Sequence, residues 1–139
     1  MSLDFKFDHI AFNIGADDHL PASLQTLLGM QAGPRPPFPF PGQWLYQDDH
    51  ALVHLLQRDG LEAARFSHLA LSTSQPAAVV MKQVKASELP HQVAILPEQR
   101  ICQIFISLTE AFILELDCPL GEEPIDATHD YQHNSQAPA

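Results

Sequence analysis

The pattern of hydrophobic and polar positions repeats once along the chain. The run Phe-Asp-His-Ile-Ala-Phe at residues 7–12 recurs at residues 66–71 as Phe-Ser-His-Leu-Ala-Leu. A second apolar run at residues 52–56 recurs at residues 113–117, where a glutamate replaces a histidine. Both offsets are about 60 residues, so we interpret the chain as a duplicated unit.

Each unit predicts the same order of elements: a strand, a helix and then two or three strands. The opening strand alternates, which places its histidine and a small alanine on one face. A leucine stripe predicts the first helix at residues 20–28, capped by Asp17 or Asp18 and ended by Gly29. The second helix is predicted at residues 76–89, where a proline suits its first turn.

The remaining apolar runs predict the strands that close each unit. They lie at residues 44–47 and 51–57 in the first unit, and at 93–96, 101–108 and 111–116 in the second. We place the modules at residues 1–60 and 61–118. Residues 119–139 are polar, and we expect them to form a mobile or loosely docked tail.

The charge balance of the chain excludes one class of partner. The sequence has 7 Lys and Arg residues against 17 Asp and Glu residues, a formal net charge of −10 with histidine neutral. Such a protein does not bind nucleic acid by neutralising phosphates, and anionic membranes repel it. With 45% hydrophobic and 17% charged residues, the chain has enough apolar material for a compact core.

No feature of the sequence predicts export or membrane insertion. The first residues carry an acid and no apolar stretch of signal-peptide length. No apolar run approaches the roughly 20 residues of a membrane helix, so we expect a cytoplasmic protein. Cys102 and Cys118 form no Cys-x-x-Cys motif, and we expect two reduced thiols.

Four residues of the repeat combine into a candidate metal site. His9 and His68 occupy equivalent positions at the start of each unit, and His54 and Glu115 do so near the end. A carboxylate buried between two leucines needs a partner for its charge. Three imidazoles and one carboxylate suit Zn²⁺, Ni²⁺, Co²⁺ or Fe²⁺. The alternative is a salt bridge between Glu115 and a protonated histidine, with no metal.

Several blocks of the sequence resemble one family. They include Asp-His-Ile-Ala-Phe at residues 8–12 and Phe-Ser-His-Leu-Ala at residues 66–70, with further blocks at 28–30, 33–46, 53–55, 103–105 and 113–116. These blocks resemble the vicinal oxygen chelate superfamily, which includes glyoxalase I, fosfomycin resistance proteins, extradiol dioxygenases, methylmalonyl-CoA epimerase and the bleomycin resistance proteins. The resemblance implies an α+β fold: two tandem βαβββ modules whose curled mixed sheets enclose a central cleft for metal and ligand.

The resemblance also implies which residues act. His9, His54, His68 and Glu115 fall on the family's ligand positions, although glyoxalase I and the epimerase resemble each other in having Glu or Gln where this chain has His54. Glu115 is then the one carboxylate expected to act as a base. A substrate with two adjacent oxygens would chelate the divalent metal for isomerase, lyase or dioxygenase chemistry. No organic cofactor is expected.

Five further residues are candidates for substrate binding. The Arg35 guanidinium suits a carboxylate or phosphate of the substrate. The other four candidates are expected to line the pocket: Trp44, Tyr46, Gln103 and Phe105. Trp44 and Phe105 fit a role in the hydrophobic core equally well. The proline-rich stretch at residues 33–42 resembles the family's loop at the rim of the site, with a polyproline ligand for a partner domain as the alternative.

Two other functions stay open from the sequence. One is a metal-free module of the same fold that sequesters a small molecule, as bleomycin resistance proteins do. The other is a structural or regulatory partner that uses the acidic tail. His129 and His133 have helical spacing in that tail, but we expect no role for them. Small members of the superfamily often form dimers, so we expect a homodimer that takes a small-molecule substrate.

Overall fold

Ten elements make up the part of the chain that the computed structural model describes, residues 4–128. The first module contains β1 (Lys6–Ile14), α1 (Leu20–Leu28), β2 (Gln31–Gly33), β3 (Gly42–Gln47) and β4 (His50–Gln57). The second module contains β5 (Arg65–Ser72), α2 (Ala77–Ser87), β6 (His91–Leu96), β7 (Ile101–Thr109) and β8 (Phe112–Pro119). The predicted order of strand, helix and strands is therefore confirmed in both modules.

All eight strands form one mixed sheet in the order β2-β3-β4-β1-β5-β8-β7-β6. The first strand of each module pairs in parallel with the last strand of the same module, β1 with β4 and β5 with β8. The antiparallel pair of β1 and β5 joins the two modules at the centre. The α+β fold of two tandem βαβββ modules is confirmed, and the sheet is not closed into a barrel.

Both helices lie on the face of the sheet that is opposite to the candidate site. Along β7 and β8, Ile104 and Leu116 pack under α2, whereas their neighbours Gln103 and Glu115 point to the other face. The buried side chains of α2 are Ala77, Val80, Met81 and Val84. Full burial of an aliphatic side chain such as Ile104, which is 0% exposed, contributes about 2 kcal/mol.

The first helix begins and ends where the sequence predicts. The Asp18 carboxylate accepts a hydrogen bond of 2.8 Å from the backbone N–H of Leu20, which satisfies one of the free donors at the helix start. Gly29 ends the helix with φ of 68°, in the left-handed region that glycine adopts without strain.

Two buried alanines set the positions of the four candidate ligand residues. Ala11 lies opposite His54 on the parallel strand β4 and opposite His68 on the antiparallel strand β5. Ala70 lies opposite Glu115 on the parallel strand β8 and opposite His9 on the antiparallel strand β1. Both alanines are 0% exposed. Because an alanine side chain is a single methyl group, it leaves room for the larger side chains around it.

The chain continues along the sheet after β8. The Val93 backbone N–H donates to the Thr128 hydroxyl at 2.6 Å, and the Thr128 N–H donates to the Val93 carbonyl at 2.8 Å. Leu120 and Ile125 pack against the cluster beneath α2. The expectation for His129 and His133 lies outside the described residues.

Two expectations concern other parts of the chain. Cys102 and Cys118 are direct partners across β7 and β8, and both are free thiols, as predicted. Within residues 4–128, no helix is long and apolar enough to cross a membrane.

Candidate metal centre

Three side chains from β1, β5 and β8 converge on one point inside the curled sheet. The Glu115 Oε1 atom lies 2.9 Å from His68 Nε2 and 3.6 Å from His9 Nε2. The potential ligand atoms of the three residues all lie within 4.8 Å of one another. Glu115 and His9 are each 2% exposed and His68 is 4% exposed, so the cluster is almost completely buried.

The outer ring nitrogens of both histidines have partners of their own. His9 Nδ1 donates to the Asp8 carboxylate at 2.7 Å, and His68 Nδ1 lies 2.8 Å from the Ser67 hydroxyl. A partner on Nδ1 fixes the ring orientation and directs Nε2 towards the centre, as is usual for histidines that bind metals.

The residues fit a divalent cation. His9 Nε2 is buried and has no hydrogen-bond partner within the described residues 4–128, although a buried polar nitrogen is normally satisfied. A cation at the point where His9, His68 and Glu115 meet would satisfy this nitrogen and balance the carboxylate charge. Two imidazoles and one carboxylate form a donor set that Zn²⁺ and Fe²⁺ sites use.

The charges of the cluster are interdependent in the metal-free protein. Burial alone lowers the pKa of His9, but the hydrogen bond to Asp8 and the nearby Glu115 carboxylate outweigh it and raise this pKa to about 9. Burial raises the pKa of Glu115, but the two histidines outweigh it and hold this pKa well below its usual range. A proton on His9 therefore balances the charge of the Glu115 carboxylate.

His54 lies beside this cluster, but it is not in the group of mutually close ligand atoms that the other three residues form. Its ring stacks on His9, with centroids 3.5 Å apart, and on Trp44, with centroids 3.9 Å apart. Its Nε2 atom pairs with the Ala51 carbonyl at 3.1 Å. Burial and the neighbouring charge of His9 lower the pKa of His54 to about 2, which keeps the ring neutral. A neutral imidazole can bind a metal, so His54 as a fourth ligand stays a prediction, and the ligand set proposed below contains the three mutually close residues His9, His68 and Glu115.

Two cavities adjoin the cluster and contain the five candidate substrate residues. The larger has a volume of about 580 Å³, and His9 forms part of its wall together with Arg35, Trp44, Tyr46 and Gln103. The smaller has a volume of about 40 Å³ and is lined by Phe105 together with His68 and Glu115. Arg35, Trp44 and Gln103 line both cavities.

The proline-rich stretch packs over the site. Phe38 and Phe40 contact a buried cluster of the second module that contains Leu96 and Phe105. The Arg35 guanidinium lies 5.3 Å and 5.5 Å from the ring centroids of Phe38 and Phe40, and it donates to the Phe40 carbonyl. Burial lowers the pKa of Arg35. The stretch therefore connects the two modules across the mouth of the cleft.

Comparison with solved structures identifies the fold. The chain superposes on 2,2',3-trihydroxybiphenyl 1,2-dioxygenase from Sphingomonas wittichii strain RW1 with a TM-score of 0.60 and 15% identity, covering 87% of this chain and 42% of that one. It superposes on the Mn(II)-bound glyoxalase from Novosphingobium aromaticivorans with a TM-score of 0.57 and 11% identity, covering 86% and 42%. For methylmalonyl-CoA epimerase from Mycobacterium tuberculosis the TM-score is 0.58 at 13% identity, covering 81% and 87%.

The chain has the vicinal oxygen chelate fold. No family model and no curated protein matches the sequence, so this likeness rests on structure. The chain spans less than half the length of the dioxygenase and glyoxalase neighbours, but most of the length of the epimerase.

Sequence reasoning missed one polar residue that this vicinal oxygen chelate fold places at the site. Asp117 lies two positions after Glu115 on β8, on the same face, and lines the larger cavity. Burial, the charge of Glu115 and a hydrogen bond with it raise the pKa of Asp117 well above its usual range. With Asp8 and His9 it forms a second group of possible ligand atoms. The alternation of side chains along a strand could have identified Asp117, because residues two positions apart lie on the same face.

Proposed function

We propose that this protein is a divalent-metal-dependent enzyme that binds a small substrate through two adjacent oxygens. The observation that carries the proposal is the buried, unpartnered Nε2 atom of His9, which points at the Glu115 carboxylate beside His68. A bound cation satisfies all three groups at once.

In this proposal His9, His68 and Glu115 hold the cation, which is Zn²⁺, Ni²⁺, Co²⁺ or Fe²⁺. When bound, it supplies a positive charge that stabilises an anion formed on a substrate with adjacent oxygens. Three protein ligands leave coordination positions for such a substrate. The Novosphingobium neighbour is a Mn(II)-bound glyoxalase, which supports a metal in this fold without naming the metal here.

The surrounding residues have defined tasks in this proposal. Glu115 is the carboxylate that would accept a substrate proton, for which it would have to loosen from the cation, and Gln103 holds its Oε2 atom through a hydrogen bond of 3.3 Å. Arg35 binds an anionic substituent of the substrate. Trp44, Tyr46 and Phe105 provide apolar walls. Isomerase, lyase and dioxygenase chemistry all suit such a site, and the neighbours include a glyoxalase, a dioxygenase and an epimerase.

A second candidate function is a metal-free module that sequesters a small molecule in the cavity of about 580 Å³. The observation that favours it is the pairing of a protonated His9 with Glu115, since this pair balances the buried charge without a cation. The same three residues thus serve either function, and only the occupant of the centre differs.

Metal binding by the full chain separates the two functions. Protein purified without chelators is analysed for metal and then titrated with Zn²⁺ in a calorimeter. We expect one equivalent bound by the wild type and by Glu110→Gln, which alters an exposed carboxylate in a turn, and at least a 100-fold weaker affinity in Glu115→Gln. Wild-type protein that binds no cation, or Glu115→Gln that binds as tightly as Glu110→Gln, would overturn the metal-dependent function.

A further inference from the structure

Two residues that line the larger cavity each have a buried side-chain oxygen atom without a hydrogen-bond partner among residues 4–128. The two atoms are Gln103 Oε1 and Asp117 Oδ1. Gln103 and Asp117 are direct partners across the antiparallel strands β7 and β8, so their side chains leave the sheet on the same face. Both residues line the cavity of about 580 Å³.

The orientation of the Gln103 amide follows from its contact with Glu115. The amide Nε2 donates to Glu115 Oε2 at 3.3 Å. Turning the amide over would place an oxygen against a carboxylate oxygen, which is repulsive because both atoms are acceptors. The Glu115 carboxylate therefore keeps the Oε1 acceptor of Gln103 directed away from the metal cluster.

Two acceptors that the described residues leave unpaired favour a ligand with a hydrogen-bond donor. A buried acceptor without a donor is unfavourable, so water or a ligand donor must satisfy it. Gln103 touches Glu115 on one side and pairs with Asp117 on the other. The two acceptors therefore belong to residues that adjoin Glu115 of the proposed metal cluster and line the larger cavity.

We propose that Gln103 and Asp117 form a donor-recognition subsite, so that the substrate carries a hydroxyl or amino group next to its two chelating oxygens. This inference rests on the proposed metal-dependent function and narrows its substrate class. An O–H or N–H group satisfies the two acceptors, whereas a methyl ether at the same place leaves them buried and unpaired. Sites that hydrogen-bond a substrate group discriminate strongly against analogues that lack the donor.

A matched pair of chelators tests the subsite on the zinc-loaded full chain. Pyrogallol and 3-methoxycatechol offer the same two adjacent hydroxyls, and they differ in having a third hydroxyl or a methoxy group beside them. Calorimetry without oxygen gives both affinities, and we expect the wild type to prefer pyrogallol by at least about 10-fold. In Asp117→Leu and Gln103→Leu we expect the preference to fall below about 3-fold.

A control variant and separate readouts distinguish the possible failures. Gln83→Leu removes an exposed amide from α2, on the opposite face of the sheet, and should keep the full preference. Equal affinities in zinc-loaded wild type, or an unchanged preference in both subsite variants, would overturn the donor subsite and leave the metal function standing. Protein that takes up no zinc would overturn the metal function and the subsite together.

Discussion

The imidazole of His54 lies flat against that of His9, with ring centroids 3.5 Å apart and planes inclined by 17°. Trp44 stacks on the other side of His54 at 3.9 Å and 10°. This stack holds the plane of the His9 ring, while the Nε2 atom of His54 is occupied by a backbone carbonyl. We therefore infer that His54 positions the ring of His9, a proposed ligand.

Replacing His54 by phenylalanine should therefore preserve metal binding. His54→Phe keeps an aromatic ring between His9 and Trp44, so we expect its zinc affinity to stay within about 10-fold of the wild type. His68→Phe, the matched change at a proposed ligand, should lower the affinity at least 100-fold. Competition with a chromophoric zinc chelator measures both. Equal losses in the two variants would restore His54 to the ligand set.

The stability of the metal-free protein should fall in mildly alkaline solution. The pKa of His9 is raised from 6.5 to about 9, so the folded state holds a proton that the unfolded chain releases above pH 6.5. The stabilisation from this proton is complete below pH 6.5 and is lost as the pH rises to 9. Urea unfolding in a chelator should show a loss of about 1–3 kcal/mol over this range.

The same titration on Glu115→Gln tests the origin of this loss. Without the carboxylate, one of the groups that raise the pKa of His9 is gone, so the decline between pH 6.5 and pH 9 should be shallower. A decline of the same size in both proteins would show that other groups cause it.

Asp8 should tune the metal affinity without touching the metal. Its carboxylate accepts the Nδ1–H of His9, and partners of this kind increase the basicity of a histidine ligand. We expect Asp8→Asn to weaken zinc binding about 10- to 100-fold. Asp59→Asn, a change at an exposed carboxylate, should have no such effect. An affinity for Asp8→Asn equal to that of Asp59→Asn would contradict this role.

The repeat in the sequence was sufficient to predict most of the fold and part of the site. Equivalent histidines in β1 and β5 and a glutamate in β8 had to meet once the first strands of the two modules paired. The strand β2 was missed because Gln31–Gly33 is three residues long and contains no alternation. The leucine stripe that predicted α1 is only partly covered: Leu20 and Leu24 pack against the sheet, whereas Leu27 is 79% exposed.

The spacing of residues along the chain could not predict the orientation of individual side chains. It placed His54 on the face of the sheet that bears the site, but its ring orientation depends on the Ala51 carbonyl and on stacking with Trp44. The position of Asp117, in contrast, could have been predicted, because Asp117 lies two residues after Glu115 on the same strand face. Its importance arises from burial beside a second carboxylate, which only the structure shows.

A crystal structure of protein grown with Zn²⁺ and measured at the zinc absorption edge tests the metal centre most directly. We expect one anomalous peak within bonding distance of His9 Nε2, His68 Nε2 and a Glu115 oxygen, with the His54 ring still stacked between His9 and Trp44. A peak held by Asp8 and Asp117 instead, or no peak inside the sheet, would contradict the proposed centre.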